Sequence, residues 1–534
     1  MKQLTHILRL HAAIAALLAL VLHAMPGSAQ IVSVGAYSGV ADATTKRVLV
    51  TLPADAAAAA NDLPETFEFQ GETYTVATTS LPLVCVKQAP DINRDSFTPA
   101  TLTLIDPDEA GAPHTYNSQL RYRGATAQLY TKKNYAVKLL DDAGEALDAS
   151  LLGMRSDNSW ILDAMASDNS RMRNRVSTDL WLDFSRRPYY ADAEPTMTNG
   201  THGRFVEAFV DDRYWGLYCL TEKVDRKQLR VKKFKDGTPR GIIYKSFAYD
   251  NMTIVSEPEP SNDSYVWQGW EGAYPDVRKG EPFDWSPLLD LYLFLGQEVP
   301  SFDLLDHLHQ RLDIPVWRDY IIFCDLLHAD DNVAKNIITY YPDITAPVTF
   351  VNEKGKTETV PAPGPLGVCP WDLDATWGRD FLRQPIEPTD NCNVSNAVNY
   401  HLWVSQFDQG KSYYTRWAEL RESIFTPANL WAYFERYFDL FAASGAAARE
   451  TERWNGVDGV RLDFDAEAAY IRRWIGYRLG YLDGDYDYVD TGISAPSVNT
   501  TPDVYTLDGR RLDAHSLNAS SHGVYIMGGR KVIR

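Results

Sequence analysis

Residues 328–336 of this 534-residue chain read HADDNVAKN, and residues 370–374 read PWDLD. In the first stretch, Asp331 stands five positions before Asn336. In the second, Asp372 and Asp374 follow a short apolar segment with the character of a strand. An Asp-to-Asn spacing of this kind recurs by chance, so the rest of the chain decides what it means.

Phosphoryl transfer requires this combination of side chains. One carboxylate orients the attacking hydroxyl, while an amide oxygen and a second carboxylate hold Mg²⁺ on the nucleotide phosphates. Protein kinases place an Asp and an Asn at the same spacing in their catalytic loop, and a metal-binding Asp follows. Hard cations prefer oxygen ligands, so the grouping suits Mg²⁺ and not zinc. Without wider support, the same residues also fit a solvated acidic loop after a helix.

The first 29 residues have the features of a cleaved signal peptide. Lys2 and Arg9 give a basic start, an apolar run occupies 12–22, and small residues precede Gln30. The run is too short for a membrane span, and no later segment has about 18 uncharged apolar residues. The mature chain is therefore expected to be secreted or attached to the cell surface, with the periplasm as a further location.

Charge and composition exclude some function classes. The chain has 52 Lys and Arg against 71 Asp and Glu, a formal charge of −19, which argues against binding nucleic acid. The 14 tryptophans favour a large aromatic core over carbohydrate stacking, because many lie in apolar runs. The five cysteines fit no zinc spacing, and Cys369 with Cys392 are candidates for one disulfide.

The order of elements predicts an α+β fold. Residues 30–115 read as short strands, and from 116 a β-hairpin, a helix and a second hairpin follow, which is the order of a kinase small lobe. After 285 the pattern turns helical, and a helix at 315–327 would deliver the 330s loop. The elements predicted in this part of the chain are strands at 119–123, 134–139, 205–210, 214–221, 337–341 and 367–369, and helices at 171–184, 285–295, 302–312, 315–327, 428–444 and 465–482.

The middle of the chain, from about 80 to 385, resembles the CotH kinase family, named for a spore-coat protein. The landmarks, in the order of the family, are 123–126 with 132–138, 160–162 with 168–174, 214–218 with 221–222, 331–336 and 371–374. The resemblance implies an atypical, two-lobed protein-kinase-like fold with ATP and Mg²⁺, or Mn²⁺, as cofactors. It also implies phosphorylation of secreted substrates.

Carried onto this sequence, the resemblance gives roles to the acidic motif. Asp331 would be the general base or hydroxyl-orienting carboxylate, with Asp330 as the rival if the loop is one residue out of register. Asn336 and Asp372 would bind Mg²⁺, with Asp374 sharing or replacing the latter. Ordinary alternatives are a strand-capping Asn and an acidic turn.

The resemblance also gives candidates for nucleotide contacts. Lys138, at the end of a predicted strand, is placed as the lysine that contacts phosphates, with Lys132 and Lys133 as alternatives. Glu222 would lie where a hinge meets the adenine. A phosphate-contacting turn is expected at Arg123, Gly124 and Thr126. The family more often has Asn-Ser-Ser after the glycine, whereas residues 125–127 are Ala-Thr-Ala, so backbone N–H groups would carry more of the contact. The ordinary alternative for each of these charged residues is a solvated surface group.

The expected organisation has five parts. They are a signal peptide at 1–29, a β-rich region at 30–115, a kinase-like domain at 116–484, a linker at 485–503 and a β tail at 504–534. Within the kinase-like domain, the small lobe is expected at about 116–250 and the large lobe at 251–484. The tail is similar to the C-terminal sorting domains of exported Bacteroidetes proteins.

The resulting hypothesis is a secreted atypical kinase that transfers the ATP γ-phosphoryl group to hydroxyl side chains of exported or surface proteins. ATP is scarce outside the cytoplasm, which keeps an alternative open. In that alternative, the chain is an inactive kinase-shaped surface or adhesion protein that binds a protein partner or a glycan. Nucleotide binding distinguishes the two.

Overall fold

The computed structural model describes residues 30–53, 56, 60–109, 112–248, 260–276, 279–295, 302–352, 355–392, 411–489, 504–506, 511–512, 524–527 and 530–533. Helices and sheets both build the chain, which confirms the predicted α+β class. The predicted signal peptide, and residues 490–503 of the predicted linker, lie outside the described residues. None of the described helices is long and apolar enough to cross a bilayer.

A five-stranded sheet begins the described chain. Its strands are β1 (Ile31–Val34), β2 (Tyr37–Asp42), β3 (Arg47–Thr51), β4 (Thr66–Phe69) and β5 (Glu72–Thr79). They pair in the order β1-β2-β3-β5-β4, with β3 and β5 parallel. Alternate valines point to one side, so Val32 and Val34 with Val48 and Val50 form a small core of their own.

A closed seven-stranded barrel follows. Its strands are β6 (Leu83–Gln88), β7 (Thr98–Ile105), β8 (Pro113–Arg123), β9 (Asn134–Leu140), β12 (Ser159–Asp163), β13 (Gly203–Val210) and β14 (Arg213–Glu222). A short pair, β10 (Ala149–Ser150) and β11 (Ser156–Asp157), lies between β9 and β12 in the chain. The barrel order is β12-β14-β13-β6-β7-β8-β9, closed by pairing of β9 with β12. Strands β6 and β7, which the sequence pattern places in the N-terminal region, thus belong to the same barrel as the predicted hairpins.

The two faces of the barrel strands have different tasks. Along β9, Tyr135, Val137 and Leu139 are buried in the barrel interior, while Asn134 and Lys138 face outward. This alternation follows from the two-residue period of a strand. The outer face therefore carries the polar side chains that the barrel presents to the rest of the molecule.

A second sheet and its helices make up most of the remainder. The sheet, in the order β16-β17-β15-β18-β21, consists of β15 (Ile242–Ser246), β16 (Val266–Trp267), β17 (Trp270–Tyr274), β18 (Ile337–Tyr341) and β21 (Gly367–Pro370). Strands β19 (Val348–Val351) and β20 (Thr357–Val360) form a hairpin between β18 and β21. The tail forms a four-stranded sheet of β22 (Val504–Thr506), β23 (Arg511–Leu512), β24 (Val524–Met527) and β25 (Arg530–Ile533).

The described helices are α1 (Arg173–Phe184), α2 (Ser286–Leu295), α3 (Phe302–Arg311), α4 (Ile314–Leu327), α5 (Asp330–Ala334), α6 (Lys411–Arg421), α7 (Pro427–Ala443), α8 (Ala446–Trp454) and α9 (Phe464–Asp485). Their apolar faces enclose the largest core, which includes Trp181, Trp285, Trp377 and Trp417, all buried. These tryptophans therefore serve packing, as the sequence favours. Helices α6 and α8 are additions to the predicted elements, and the predicted 330s loop contains the short helix α5.

Helix α1 begins two residues later than the pattern predicts, for a local reason. Arg171 has a left-handed φ of 60°, which ends helical geometry on its N-terminal side. The carboxylate of Asp168 accepts the backbone N–H groups of Ser170, Met172 and Arg173 at 2.7–2.8 Å. Asp168 thus satisfies donors that the first helical turn leaves open.

All five cysteines are free and buried, so the expected Cys369–Cys392 disulfide is wrong. Cys369 lies in strand β21, in a core with Tyr340 and Ile338. Cys392 belongs to the large core instead and donates its thiol to the carbonyl of Cys324 at 3.3 Å.

Candidate active site

Neighbouring strand ends bring the two predicted acidic segments together. Strands β15, β18 and β21 are adjacent and antiparallel, and Ile337 pairs with Pro370. The start of β18 therefore meets the end of β21 at one end of the sheet. Asn336 precedes that start, Asp372 follows that end, and Lys245 lies at the matching end of β15, paired with Ile338. The two segments consequently share one region of the molecule.

A buried asparagine joins the two segments directly. Asn332 is 0% exposed, and its side-chain amide donates to the carbonyl of Trp371 at 2.7 Å and to that of Asn336 at 3.4 Å. Asn336 itself has a left-handed φ of 57°, and its backbone N–H donates to the carbonyl of Ser246. The sequence pattern did not single out Asn332, although it lies inside the quoted motif.

The two rival aspartates of the 330s segment point to different surroundings. Asp331 forms an ion pair with Lys335 at 3.0 Å, and its charge acts on the Asp372 carboxyl. Asp330 lies 3.9 Å from the ring of buried His328 and is about half exposed. Successive residues of a short helix face different directions, and of these two it is the charge of Asp331 that acts on Asp372. The geometry therefore favours Asp331 over Asp330.

The turn after β21 is anchored to helix α1 through Asn174. The backbone N–H of Leu373 donates to Asn174 Oδ1 at 3.1 Å, and Asn174 Nδ2 donates to Asp163 Oδ2 at 3.1 Å. Asp372 has a left-handed φ of 61° and is exposed to the cleft. Asn174 thereby holds the last residue of β12, Asp163, close to the turn that carries Asp372. Neither Asp163 nor Asn174 was predicted as a site residue, although both adjoin quoted landmarks.

Burial and neighbouring carboxylates raise the pKa of Asp372 and Asp374. Burial, and next the charge of Asp372, raise the pKa of Asp374 to about 7, against a hydrogen bond from Ser167 at 2.5 Å. Desolvation also raises the pKa of Asp372, and Asp163 and Asp331 add to that effect. The site therefore holds more negative charge than its neighbours neutralise.

Two basic side chains lie beside Trp371, the residue before Asp372. The Arg123 guanidinium lies 5.1 Å and the Lys245 ammonium 5.5 Å from the ring of Trp371. Desolvation lowers the pKa of Lys245, an effect that Asp372 opposes and Arg123 reinforces. The pKa of Lys223 is lowered by desolvation and by Arg123 as well. Lys245 was not predicted as a site residue because strand β15 carries no motif of its own, and Lys223 was not predicted although it directly follows the landmark at 221–222.

The predicted phosphate turn is only partly at the cleft. Gly124 and Thr126 are exposed, and Thr126 begins a short 3₁₀ helix at Thr126–Leu129. Gly124 has φ 94°, and an added Cβ would lie 2.9 Å from that of Ala127, so the turn requires glycine. Arg123, unlike those two, lines the cleft together with Asp163, Asn174, Glu222 and Asp372.

The candidate lysines lie in three different settings. Lys138 is on the outer barrel face, 4.2 Å from the ring of Phe97, and desolvation and Lys279 lower its pKa. It is four residues along β9 from Asn134, the partner of Arg123, which is roughly 13 Å of strand. Lys133 donates to the carbonyl of Gln128 at 2.6 Å.

Lys132, the second alternative, is fully engaged elsewhere. It is buried, pairs with Glu450 at 2.7 Å and donates to the carbonyl of Leu217. Burial lowers its pKa to about 7, with Arg171 adding to the effect and Glu450 opposing it. The structure therefore uses Lys132 to join β14 to helix α8.

Glu222 lies at the rim of the cleft with a set of local partners. Its carboxylate accepts the backbone N–H groups of Arg155 and His202 at 3.2 and 2.9 Å, and contacts the His202 ring at 3.2 Å. Burial opposes ionisation, but His202 and these N–H groups lower the pKa of Glu222 overall. It is therefore an anionic wall of the cleft.

A balanced ion network supports the site from behind. Arg173 pairs with Asp168 and with Glu467, both at 2.6 Å, and donates to the carbonyl of Thr376 at 2.9 Å. Thr376 belongs to the same turn as Asp374. Helices α1 and α9 thus fix the segment that follows β21.

The donor set fits a hard divalent cation. Within the described residues, the oxygens of Asp163, Asp372 and Asp374 do not all come within 4.8 Å of one another. Mg²⁺ is usually bound by one or two carboxylates, with waters and substrate phosphates as its other ligands. Excess carboxylate charge beside Arg123 and Lys245 matches that requirement, because the cation and the basic side chains would both face the phosphates.

Fold and cleft together define a mixed α+β protein whose polar groups suit a phosphate-bearing ligand and a divalent cation. A family model described as CotH kinase protein matches residues 120–482. Inner spore coat protein H of Bacillus subtilis (strain 168) is similar, at 23% identity over 369 residues, which cover 68% of this chain and 85% of that protein. The chain belongs to the CotH kinase family.

Proposed function

We propose that this protein is an exported atypical protein kinase that transfers the γ-phosphoryl group of ATP to hydroxyl side chains of exported or cell-surface proteins. One observation carries the proposal. The charges of Asp331, Arg123 and Lys245 all act on the carboxyl of Asp372, although Asp331 and Asp372 come from segments about 40 positions apart. Phosphoryl transfer depends on positioning and on charge stabilisation, and this arrangement offers both.

In this proposal, Asp331 accepts the proton of the acceptor hydroxyl or orients that hydroxyl for attack. Lys335, 3.0 Å from Asp331, holds the carboxylate in place. Asn332 holds the 330s segment against Trp371 and so fixes the separation of Asp331 from Asp372.

Asp372 is the first metal ligand in the proposal, and Asp374 and Asn336 are the further candidates. When bound, Mg²⁺ or Mn²⁺ neutralises charge on the nucleotide phosphates. Arg123 and Lys245 stabilise the negative charge of the same phosphates from the barrel side and the sheet side. Lys138, further along the outer face of β9, remains the alternative phosphate lysine, and Glu222 the alternative adenine contact.

The barrel would act as the small lobe, and the second sheet with its helices as the large lobe. Such a division places the nucleotide between the outer barrel face and the turn at 371–374. Export would follow from the signal-like first 29 residues, with the tail at 504–534 as a sorting segment. Mass spectrometry of the mature protein tests the first point, with Gln30 as the expected new N-terminus.

The activity is tested with residues 30–534, γ-labelled ATP and Mg²⁺ or Mn²⁺. We expect label on the protein itself or on an added exported protein, and its loss in Asp331→Asn and in Asp372→Asn. Asp439→Asn, at an exposed position of helix α7, is the matched control. Activity that survives both site substitutions rejects the assignment.

Calorimetry with ATP and Mg²⁺ separates the two functions considered for this chain. Binding that weakens in Asp372→Asn supports the kinase. Absence of nucleotide binding by the folded protein favours the kinase-shaped surface protein that contacts a protein or a glycan.

A further inference from the structure

A second group of metal-ligating side chains lies behind the 330s segment. It consists of His328, Asp330 and Cys392, whose candidate ligand atoms all lie within 4.8 Å of one another. His328 and Asp330 flank the start of helix α5, and Cys392 comes from a segment some sixty residues later. Within the part of the chain that the structure describes, this is the only such group of three His, Cys, Asp or Glu residues.

His328 is the observation that points to a ligand. The residue is 3% exposed, and neither ring nitrogen has a hydrogen-bond partner. Buried imidazoles normally satisfy at least one nitrogen, because an unpaired buried polar atom is unfavourable. Desolvation lowers the pKa of His328, and a neutral imidazole is the form that binds metals.

Cys392 supplies the softest donor of the group. Its thiol is 6% exposed, and its one described hydrogen bond is a weak one, to the carbonyl of Cys324 at 3.3 Å. Burial, and next the charges of Asp325 and Asp330, hold the pKa of the Cys392 thiol well above its usual range, and the guanidinium of Arg478, held by three carbonyl groups nearby, opposes that effect. A metal ion that binds there would displace the thiol proton to solvent.

We propose that His328, Asp330 and Cys392 form a Zn²⁺ site distinct from the proposed Mg²⁺ site. Nitrogen, oxygen and sulfur ligands in one cluster are the set that zinc prefers. His328 Nδ1 lies 3.9 Å from Asp330 Oδ2. Tetrahedral zinc needs ligand atoms about 3.3–3.8 Å apart, so a small inward movement suffices.

The fourth ligand would be water. Asp330 is about half exposed, so solvent reaches the site from its side, whereas His328 and Cys392 close the inner side. The site would join residue 392 to the segment that carries Asp331. It would therefore position that segment and take no part in the chemistry.

The experiment uses residues 30–534 with zinc and cobalt as probes. After exposure to Zn²⁺ and gel filtration, we expect one zinc per chain by mass spectrometry, retained in excess Mg²⁺. Replacement by Co²⁺ should produce the absorption of a cobalt–thiolate bond. Cys392→Ser should remove that absorption and weaken zinc binding more than about tenfold.

Two controls separate this site from other sites. Cys369→Ser changes another buried thiol, in strand β21, and should retain both signals. Asp372→Asn should also retain the zinc, so that failure of the kinase proposal and failure of this one give different results.

Asp330→Asn is the variant of choice if Cys392→Ser does not fold, because its side chain is half exposed. It should lower zinc affinity while the circular dichroism spectrum stays unchanged. A wild-type chain that retains no zinc, or a folded Cys392→Ser chain that binds zinc and shows the same cobalt absorption as the wild type, overturns the proposal.

Discussion

Two groups of charged residues meet near helix α1, and they differ in balance. Behind the helix, Arg173 pairs with Asp168 and Glu467 at 2.6 Å, and Arg379 also pairs with Glu467 at 2.8 Å. Glu450 is paired with Lys132 and Arg171 at 2.7 and 2.8 Å. In front of it, Asp163, Asp372 and Asp374 repel one another, and the pKa of Asp374 is raised to about 7.

The difference separates what holds the fold from what serves a ligand. A buried ion pair with satisfied hydrogen bonds is complete within the chain, and removing one partner leaves an unpaired charge. A cluster with surplus carboxylate charge is complete only when a cation joins it. Local charge balance, and not burial alone, therefore distinguishes the supporting network from the candidate active site.

The largest effect is expected when Asp372 is removed from the front cluster of Asp163, Asp372 and Asp374. Asp372→Asn should lower the rate of phosphoryl transfer by about 10⁴-fold, or ~5.5 kcal/mol, because the first metal ligand is lost. Thermal unfolding in a chelator should be unchanged or shifted upward, since one repelling charge is gone. A large fall in stability together with the rate would show that Asp372 belongs to the supporting network. Asp439→Asn again serves as the control.

The second effect is a loss of stability, expected when Glu450 is removed from the ion network behind helix α1. Glu450→Gln leaves Lys132 and Arg171 without their shared carboxylate, and we expect a loss of about 4 kcal/mol in the free energy of unfolding. Urea titration followed by tryptophan fluorescence measures it. Glu422→Gln, at an exposed site, should change stability by less than about 0.5 kcal/mol. Equal stability of the two variants would show that the ion network behind helix α1 does not stabilise the fold.

The third effect concerns the cations that face the front cluster. Lys245→Met should lower kcat/KM for ATP by about 100-fold, or ~2.7 kcal/mol, because Lys245 adjoins Asp372 and Trp371. Lys138→Met should cost about tenfold or less. Steady-state kinetics at fixed Mg²⁺ compare the two variants. The reverse order would return the phosphate role to Lys138, as the sequence predicts.

The smallest expected effect is on the pH dependence of the free energy of unfolding. Its sign is opposite for Asp374, in front of helix α1, and for Asp168, behind it. The pKa of Asp374 is about 7 in the fold, against about 3.9 in an unfolded chain, so the folded state keeps a proton that the unfolded state has lost. In a chelator, the free energy of unfolding should therefore fall as the pH rises from about 4 to about 7.

Asp374→Asn should flatten that slope, and excess Mg²⁺ should restore stability near pH 7. Burial opposes ionisation of Asp168, but Arg173 and backbone N–H groups lower its pKa, so its contribution is present above about pH 4 and is lost in acid. Chemical denaturation at several pH values measures the contributions of both Asp374 and Asp168. A slope that persists in Asp374→Asn would assign the proton to another group.

Much of the fold was predictable because its signals are local. The strand at Ile337–Tyr341 and the helix at Ile314–Leu327 follow from apolar periodicity to within about one residue. The placement of β6 and β7 in the barrel was not predictable, because β6 pairs in parallel with β13, far along the chain. Helix α8 was missed because its burial depends on the barrel strand it packs against.

The residues of the candidate site likewise include some that the sequence predicted and some that it did not. Asp331, Asn336 and Asp372 carry a recognisable spacing, whereas Lys245 and Asp163 reach the cleft only through strand pairing and through Asn174. Sequence spacing reports neighbours along the chain, and the partners that neutralise or position them come from other elements. Their roles, predicted or newly seen, await the tests above.

The pairing of β18 with β21 separates the acidic turn from the connection between the two strands. The connection from 342 to 366 leaves and re-enters at the far end of both strands, opposite Asn336 and Asp372. We therefore expect a short insertion in this connection to leave Asn336 and Asp372 in place, which makes the connection a suitable position for a reporter sequence.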